Sequence, residues 1–117
     1  METFVGSWKL EGRNMFNGIE IEIDTNFKGK ITKLNTNKYI NMLAEIGDTW
    51  VSGIKRSSNF QFKLTEKKIG SPLFGLYGQK TSTQFSIQFI HKDTIGLATG
   101  NSNPLDSKIK YVRIKNQ

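Results

Sequence analysis

Apolar and polar side chains alternate one by one along many short runs of this sequence. Ile19, Ile21 and Ile23 alternate with acidic residues, and Trp8 and Leu10 alternate with charged ones. Successive side chains of a β-strand point to opposite faces, so a period of two predicts strands with one wet and one dry face. About ten strands are predicted, over residues 7–13, 19–24, 30–35, 39–46, 49–55, 59–65, 72–78, 84–90, 94–99 and 107–115.

Short segments with turn-forming residues separate these runs, for example Asn17-Gly18 and Gly47-Asp48. Tight turns join neighbouring antiparallel strands, and only 99–107 is long enough for the crossover that a Greek-key sandwich needs. Closing the resulting meander removes its exposed edges. The sequence therefore predicts an all-β fold, a single antiparallel up-and-down barrel of about 8–10 short strands, which forms one domain over 1–117.

The segment 39–46 fits two patterns. Ile40, Met42, Ala44 and Ile46 alternate as in a strand, whereas Tyr39, Leu43 and Ile46 also lie at helical spacing, and the segment contains good helix formers. We expect a strand here, with a single helix as the alternative.

The two ends of the chain carry a recognisable pairing. A Gly6-Ser7-Trp8 triplet opens the first strand, and Arg113 lies in the last one. This arrangement resembles the calycins, that is the lipocalins, fatty-acid-binding proteins and avidins, and most closely a small lipocalin-like domain of the sort found in bacteria. The resemblance implies that Trp8 plugs one end of the barrel and that Arg113 packs over the indole, so that Gly6, Trp8 and Arg113 serve barrel closure. An Arg guanidinium stacks well on an aromatic face.

The resemblance has limits. Fatty-acid-binding proteins insert two helices between their first two strands, whereas only Asn14-Met15-Phe16-Asn17-Gly18 lies there in this chain. Their carboxylate anchor reads Arg-x-Tyr, but the order here is Tyr111-Val112-Arg113, so the anchor is not carried over. The avidin biotin site needs more tryptophans than Trp8 and Trp50.

Apolar side chains of like parity are expected to face the interior of the barrel. A small barrel either fills its centre with side chains or holds one small ligand. We expect non-enzymatic binding of a small hydrophobic or amphipathic, lipid-like molecule, with no cofactor. The candidate binding residues are Ile21, Met42, Phe60, Phe62, Tyr77, Phe85, Phe89 and Tyr111.

The sequence lacks the residues that several kinds of chemistry require. The chain has no cysteine and one histidine, His91, so thiolate chemistry and histidine-pair metal sites are excluded, and no metal site is expected. We expect Glu20, Glu22 and Asp24 to lie on the solvent-facing side of one strand. No serine lies in a nucleophile elbow. An enzyme acting on a sequestered apolar substrate is the least favoured reading, and a buried acid would favour it.

The net charge of +7 favours anionic partners. The alternative function is therefore a basic interaction module that binds nucleic acid, glycan or an acidic protein on the outside of the barrel. No apolar run reaches the length of a signal peptide or a membrane span, so no span is expected. Compartment and oligomeric state do not follow from the sequence.

Overall fold

A computed structural model describes residues 3–67 and 82–115. The strands form one closed barrel in which each strand pairs antiparallel with its neighbours in chain order. This confirms the predicted all-β, up-and-down barrel. The strand predicted over 72–78 lies outside the described residues, as does Tyr77.

Eight strands, one helix and two 3-10 turns make up the described part of the chain. The strands are β1 Gly6–Glu11, β2 Glu20–Ile23, β3 Gly29–Lys33, β4 Thr49–Arg56, β5 Phe62–Lys67, β6 Ser82–His91, β7 Thr94–Ala98 and β8 Lys110–Arg113, the helix is α1 Lys38–Leu43, and the 3-10 turns are Asn14–Phe16 and Pro104–Asp106.

The barrel has two distinct ends. Gly6 and Arg113 lie at one of them, together with the β2–β3, β4–β5 and β6–β7 turns, and we call this the closed end. At the opposite end, the far end, β1 finishes at Glu11 and β5 finishes at Lys67.

Inward-facing side chains fill the middle of the barrel. They come from seven strands and are almost fully removed from solvent: Trp8, Leu10, Ile21, Ile23, Ile31, Val51, Leu64, Ile87, Ile95 and Leu97. Burial of one large aliphatic side chain contributes about 1.5–3 kcal/mol. These residues are therefore a packed core, of the kind that small barrels build from alternating positions.

The segment 39–46 does not form the strand that the sequence predicts. It begins with α1, because the Asn37 side chain accepts hydrogen bonds from the backbone N–H groups of Tyr39 and Ile40 and so caps the first turn. In a helix, residues two apart point about 200° apart around the axis. Ile40 is therefore buried against the barrel, whereas Met42 is 81% exposed, and the prediction that Met42 lines the interior is wrong.

Phe60 is the second correction. It lies in the turn between β4 and β5. The backbone N–H groups of Ser57 and Ser58 both donate to the carbonyl of Gln61 and so close this turn. The alternation of Phe62 and Leu64 does not extend back through this turn, so Phe60 points outward and is 73% exposed. Its predicted interior position is wrong.

Trp8 and Arg113 close the barrel. They are cross-strand partners between β1 and β8, and the guanidinium carbon lies 4.2 Å from the centroid of the indole ring. The indole Nε1 donates to the carbonyl of Phe4 at 2.8 Å, while Arg113 donates through Nη2 to the carbonyl of Thr3 at 2.6 Å and through Nη1 to that of Val5 at 3.1 Å. First strand, last strand and N-terminal segment are thus joined by one arginine.

Asp93 holds this arginine from the β6–β7 turn. Its carboxylate accepts from Nε of Arg113 at 3.1 Å and from Nζ of Lys115 at 2.9 Å. The hydrogen bond from Lys115 is the main cause that lowers the pKa of Asp93, and the charges of Lys115, Lys92 and Arg113 lower it further. Asp93 is therefore a stable anion beside the closure.

Gly6 is required where the closure is tightest. Its φ of 138° is unfavourable for a residue with a side chain, and a Cβ atom there would lie 2.8 Å from Nη1 of Arg113. We expect Gly6→Ala to lower the free energy of unfolding by about 1–3 kcal/mol, measured by urea denaturation.

Gly53→Ala is the matched control, since a Cβ at Gly53 meets no atom within 4 Å and its φ is not positive. It should leave stability unchanged or slightly raised. Equal stability of Gly6→Ala and the wild type would contradict the assigned closure.

Candidate functional site

Four polar side chains meet inside the barrel near its far end. Trp50 Nε1 donates to the hydroxyl of Tyr111 at 2.8 Å, and that hydroxyl donates to Oε2 of Glu66 at 2.5 Å. Nη1 of Arg13 donates to the other carboxylate oxygen, Oε1, at 2.6 Å. We call Arg13, Trp50, Glu66 and Tyr111 the polar cluster.

Strand parity places three members of the polar cluster. Glu66 follows Phe62 and Leu64 at alternate positions of β5, and Tyr111 of β8 lies opposite Leu10 of β1. Trp50 is the second residue of β4 and is also buried. Arg13 differs, because it follows the end of β1 and reaches Glu66 from the loop that covers the far end.

Aromatic rings enclose the charged group of Arg13. Its guanidinium carbon lies 4.9 Å from the centroid of the Phe16 ring and 5.2 Å from that of Phe85. Phe16 also packs edge-on against Trp50, with ring centroids 5.7 Å apart. The ion pair is therefore held between π-faces, a setting that stabilises a cation.

Burial of the polar cluster carries a desolvation cost for its two charged groups. Glu66 is only 4% exposed and Arg13 is 18% exposed, so the pair is largely removed from water. An ion pair in such a place recovers its desolvation cost only where both partners are fully hydrogen-bonded. The described residues contain no buried side-chain nitrogen or oxygen atom that lacks a partner.

The Tyr111 hydroxyl stays protonated in this setting. Its burial is the main cause that raises its pKa well above the usual value, and the negative charge and hydrogen bond of Glu66 raise it further. A neutral hydroxyl donates to Glu66 and accepts from Trp50, so it links the indole to the carboxylate.

The residues predicted as binding residues are spread over the two ends of the barrel. Phe85 and Tyr111 lie at the polar cluster, and Ile21 belongs to the packed middle. Phe62 and Phe89 are half-buried and pack against Phe4 at the closed end, with ring centroids 4.8 and 4.9 Å away. Met42 and Phe60 point outward, as described above.

Sequence reasoning missed Glu66, Arg13 and Trp50 as site residues. Glu66 lies one residue beyond the strand predicted over 59–65, although continuing the inward parity of Phe62 and Leu64 by one step places it inside. The strand predicted over 7–13 ends with Arg13 at a solvent-facing position, but the observed strand ends at Glu11, so its parity does not apply to Arg13. A detectable signal thus existed for Glu66 and none for Arg13.

A concave feature lies at the closed end, outside the core. A cleft of about 250 Å³ opens there between the N-terminal segment and the β4–β5 turn. Aromatic rings, one arginine and two amides form its walls: Phe4, Arg56, Asn59, Phe60, Phe62, Gln88 and Phe89. We call it the aromatic cleft.

Residues 3–67 and 82–115 contain neither a cluster of metal ligands nor a membrane-spanning helix. No three His, Asp or Glu side chains in these ranges are close enough together to hold a metal ion. In the same ranges, no helix has the length and apolar character needed to cross a membrane.

No protein-family model, curated protein or solved structure matches this chain.

The raised pKa of Tyr111 predicts a loss of stability at alkaline pH. The unfolded chain releases the tyrosine proton above pH about 10, whereas the folded barrel retains it. The contribution of this group is thus complete below that pH and is lost as the pH rises through the folded pKa. We expect the free energy of unfolding to fall more steeply with alkaline pH in the wild type than in Tyr111→Phe, measured by urea denaturation.

Tyr39→Phe, which alters an exposed tyrosine, is the control and should keep the wild-type slope. Identical slopes for Tyr111→Phe and the wild type would show that the hydroxyl ionises as freely in the barrel as in the unfolded chain.

Proposed function

We propose that this protein binds a small amphipathic molecule at the far end of the barrel without transforming it, and that the polar cluster holds the polar group of that molecule. The observation that carries the proposal is the Arg13–Glu66 ion pair, which is buried among aromatic rings next to the apolar core of the barrel. Well-packed apolar residues replace buried ion pairs at little or no cost in stability. A role in recognition gives a reason for the pair to be there.

Arg13 is the group that a ligand would meet. Its guanidinium carries five N–H donors, and the described contacts use Nη1 for Glu66. Its partial exposure leaves donors for an acceptor oxygen of a ligand. Glu66 is deeper, and each of its oxygens already accepts one hydrogen bond.

The Arg13–Glu66 pair also favours one kind of polar group on the ligand. Arg13 and Glu66 together are neutral, so a ligand carboxylate would compete with Glu66 for the arginine and would lie near a second anion. An alcohol or carbonyl oxygen accepts a hydrogen bond without that repulsion. The preferred ligand is therefore an uncharged amphipathic molecule, with its apolar part against Phe16 and Phe85.

The packed middle of the barrel refines the expectation drawn from the sequence. Ile21 and Leu64 are among the side chains that fill the space where a central ligand would lie. A ligand bound beside Arg13 would lie at the far end, away from these core side chains and next to the polar cluster.

Two features support binding over catalysis. Glu66 already accepts hydrogen bonds from Arg13 and Tyr111 and lies deeper than Arg13, so a ligand would meet the arginine before the carboxylate. Tyr111 is a neutral hydroxyl whose proton lies on the carboxylate side. General acid or base catalysis needs a group poised to exchange a proton with the substrate.

We also infer that the barrel is calycin-like. The stacking of Arg113 on Trp8, the tight contact at Gly6 and the meander of eight strands support this relationship. The resemblance implies one plugged end and a ligand at the other, which agrees with the position of the polar cluster.

The two tryptophans give a direct test, because Trp8 lies at the closed end and Trp50 in the polar cluster. Protein labelled with fluorotryptophan should show one fluorine NMR signal for each, assigned with Trp8→Phe and Trp50→Phe. Decanol should shift the Trp50 signal and leave that of Trp8 in place. Decanoate should bind about tenfold more weakly, a difference of about 1.4 kcal/mol. A shift of Trp8 alone, or of neither signal, would contradict the proposed site.

A paired substitution separates binding from stability. Arg13→Met with Glu66→Gln removes both charges but keeps an acceptor for Tyr111, so the barrel should fold with similar stability. The same variant should lose the Trp50 response to decanol. If it keeps the response, the pair has only a structural role.

A further inference from the structure

The outer face of β4, β5 and β6 is positively charged. Lys55, Lys63 and Lys67 lie on it among serine, threonine and glutamine side chains. In the described part of these three strands the only acidic residue is Glu66, which points into the barrel. We call this surface the basic face.

Acidic side chains lie on other parts of the barrel. Glu20 pairs with Lys33 between β2 and β3, Glu22 is the cross-strand partner of Lys30, and Asp93 pairs with Arg113 and Lys115. The basic face has no such balance within the described residues. The charge of the protein is thus unevenly distributed, with an uncompensated cationic surface on one side.

Two lysines oppose each other on this face. Lys55 of β4 and Lys63 of β5 are direct cross-strand partners, and the Nζ atom of Lys63 donates to the hydroxyl of Ser86 on β6 at 2.6 Å. Like charges in directly opposite positions destabilise a sheet. An anion bound between them would relieve this repulsion.

The aromatic cleft adjoins the basic face at the closed end. Arg56 lines the cleft and directly follows Lys55 of the basic face, and its guanidinium carbon lies 4.6 Å from the centroid of the Phe62 ring. Nη1 of Arg56 donates to the carbonyl of Asn59 at 2.8 Å, which holds the β4–β5 turn and with it the exposed ring of Phe60. The cleft therefore combines a cation, two amide side chains and an accessible flat ring.

We propose that single-stranded nucleic acid binds to this surface, with one base in the aromatic cleft against Phe60 and the adjoining phosphates on Arg56, Lys55 and Lys63. Proteins that bind single strands combine a positively charged path for the backbone with aromatic side chains on which bases stack. Charge complementarity alone also suits an acidic peptide, but a peptide has no need of the exposed ring and the amides of Asn59 and Gln88. A base has both a π-face and a hydrogen-bonding edge.

This site is separate from the one at the far end. It uses the outer face and the closed end, whereas the proposed ligand site uses Arg13 and Glu66 inside the barrel. Either one can therefore fail in experiment without affecting the other.

The first test uses a fluorescent oligothymidine of about 12 nucleotides and measures its anisotropy at low salt. The unaltered protein should bind it, and Phe60→Ala should weaken binding by about 5- to 150-fold, because one stacked base is lost. Phe60 is exposed, so its removal should leave the fold intact. Met42→Ala, which removes an exposed apolar side chain from α1, is the control and should bind as the wild type does.

The second test separates this face from net charge. Lys55→Gln with Lys63→Gln should weaken binding and lower the slope of log affinity against log salt by about 0.7 for each lost phosphate contact. Lys9→Gln with Lys30→Gln removes the same charge from exposed positions on β1 and β3, and it should leave the slope near that of the wild type.

Three outcomes would overturn the proposal. The first is no detectable binding of the oligonucleotide at low salt. The second is an equal loss in the two double-lysine variants, which would show that only net charge matters. The third is equally tight binding of polyglutamate with the same dependence on Phe60, which would assign the surface to an acidic protein partner.

Discussion

The contact between Arg113 and Trp8 is the interaction on which the rest of the barrel depends. Antiparallel pairing of β1 with β8 joins the two ends of the described chain, and it therefore leaves no strand edge exposed. Arg113 covers the indole and binds the backbone of Thr3 and Val5, which draws the N-terminal segment across this end. Phe4 is thereby placed among the rings of Phe27, Phe62 and Phe89. The cation–π contact and these backbone hydrogen bonds thus hold the N-terminal segment over the closed end of the barrel.

The same pairing also positions the polar cluster. The register that places Arg113 opposite Trp8 places Tyr111 opposite Leu10, two residues deeper along both strands and on the inward face. Tyr111 then meets Glu66 from the other side of the barrel, and the charge of Arg13 balances the carboxylate. A shift of one residue between β1 and β8 would turn the Tyr111 hydroxyl to the outside and leave Glu66 with one partner fewer. Closure and site are consequently parts of one arrangement.

Local patterns explain why the strands were predictable and some of their residues were not. Alternation identified the β1, β2 and β6 regions because each of these strands has one face in the core. It failed at 39–46, since the Asn37 cap starts a helix where the apolar pattern suits both structures. It also failed at Phe60 and Arg13, because parity holds only within a strand and both lie beyond a strand end. The contact of Arg13 with Glu66 joins residues 53 positions apart, so no local pattern contains it.

The two proposed sites differ in their net charge and in its exposure to solvent. Arg13 and Glu66 cancel inside the barrel, so the whole net charge of +7 is carried by the other residues, and the uncompensated part of it includes the basic face. Salt screens exposed charges strongly and buried ones weakly. Binding inside the barrel should therefore depend little on ionic strength, whereas binding to the basic face must weaken steeply as salt rises. Salt dependence distinguishes the two sites before the identity of either ligand is known.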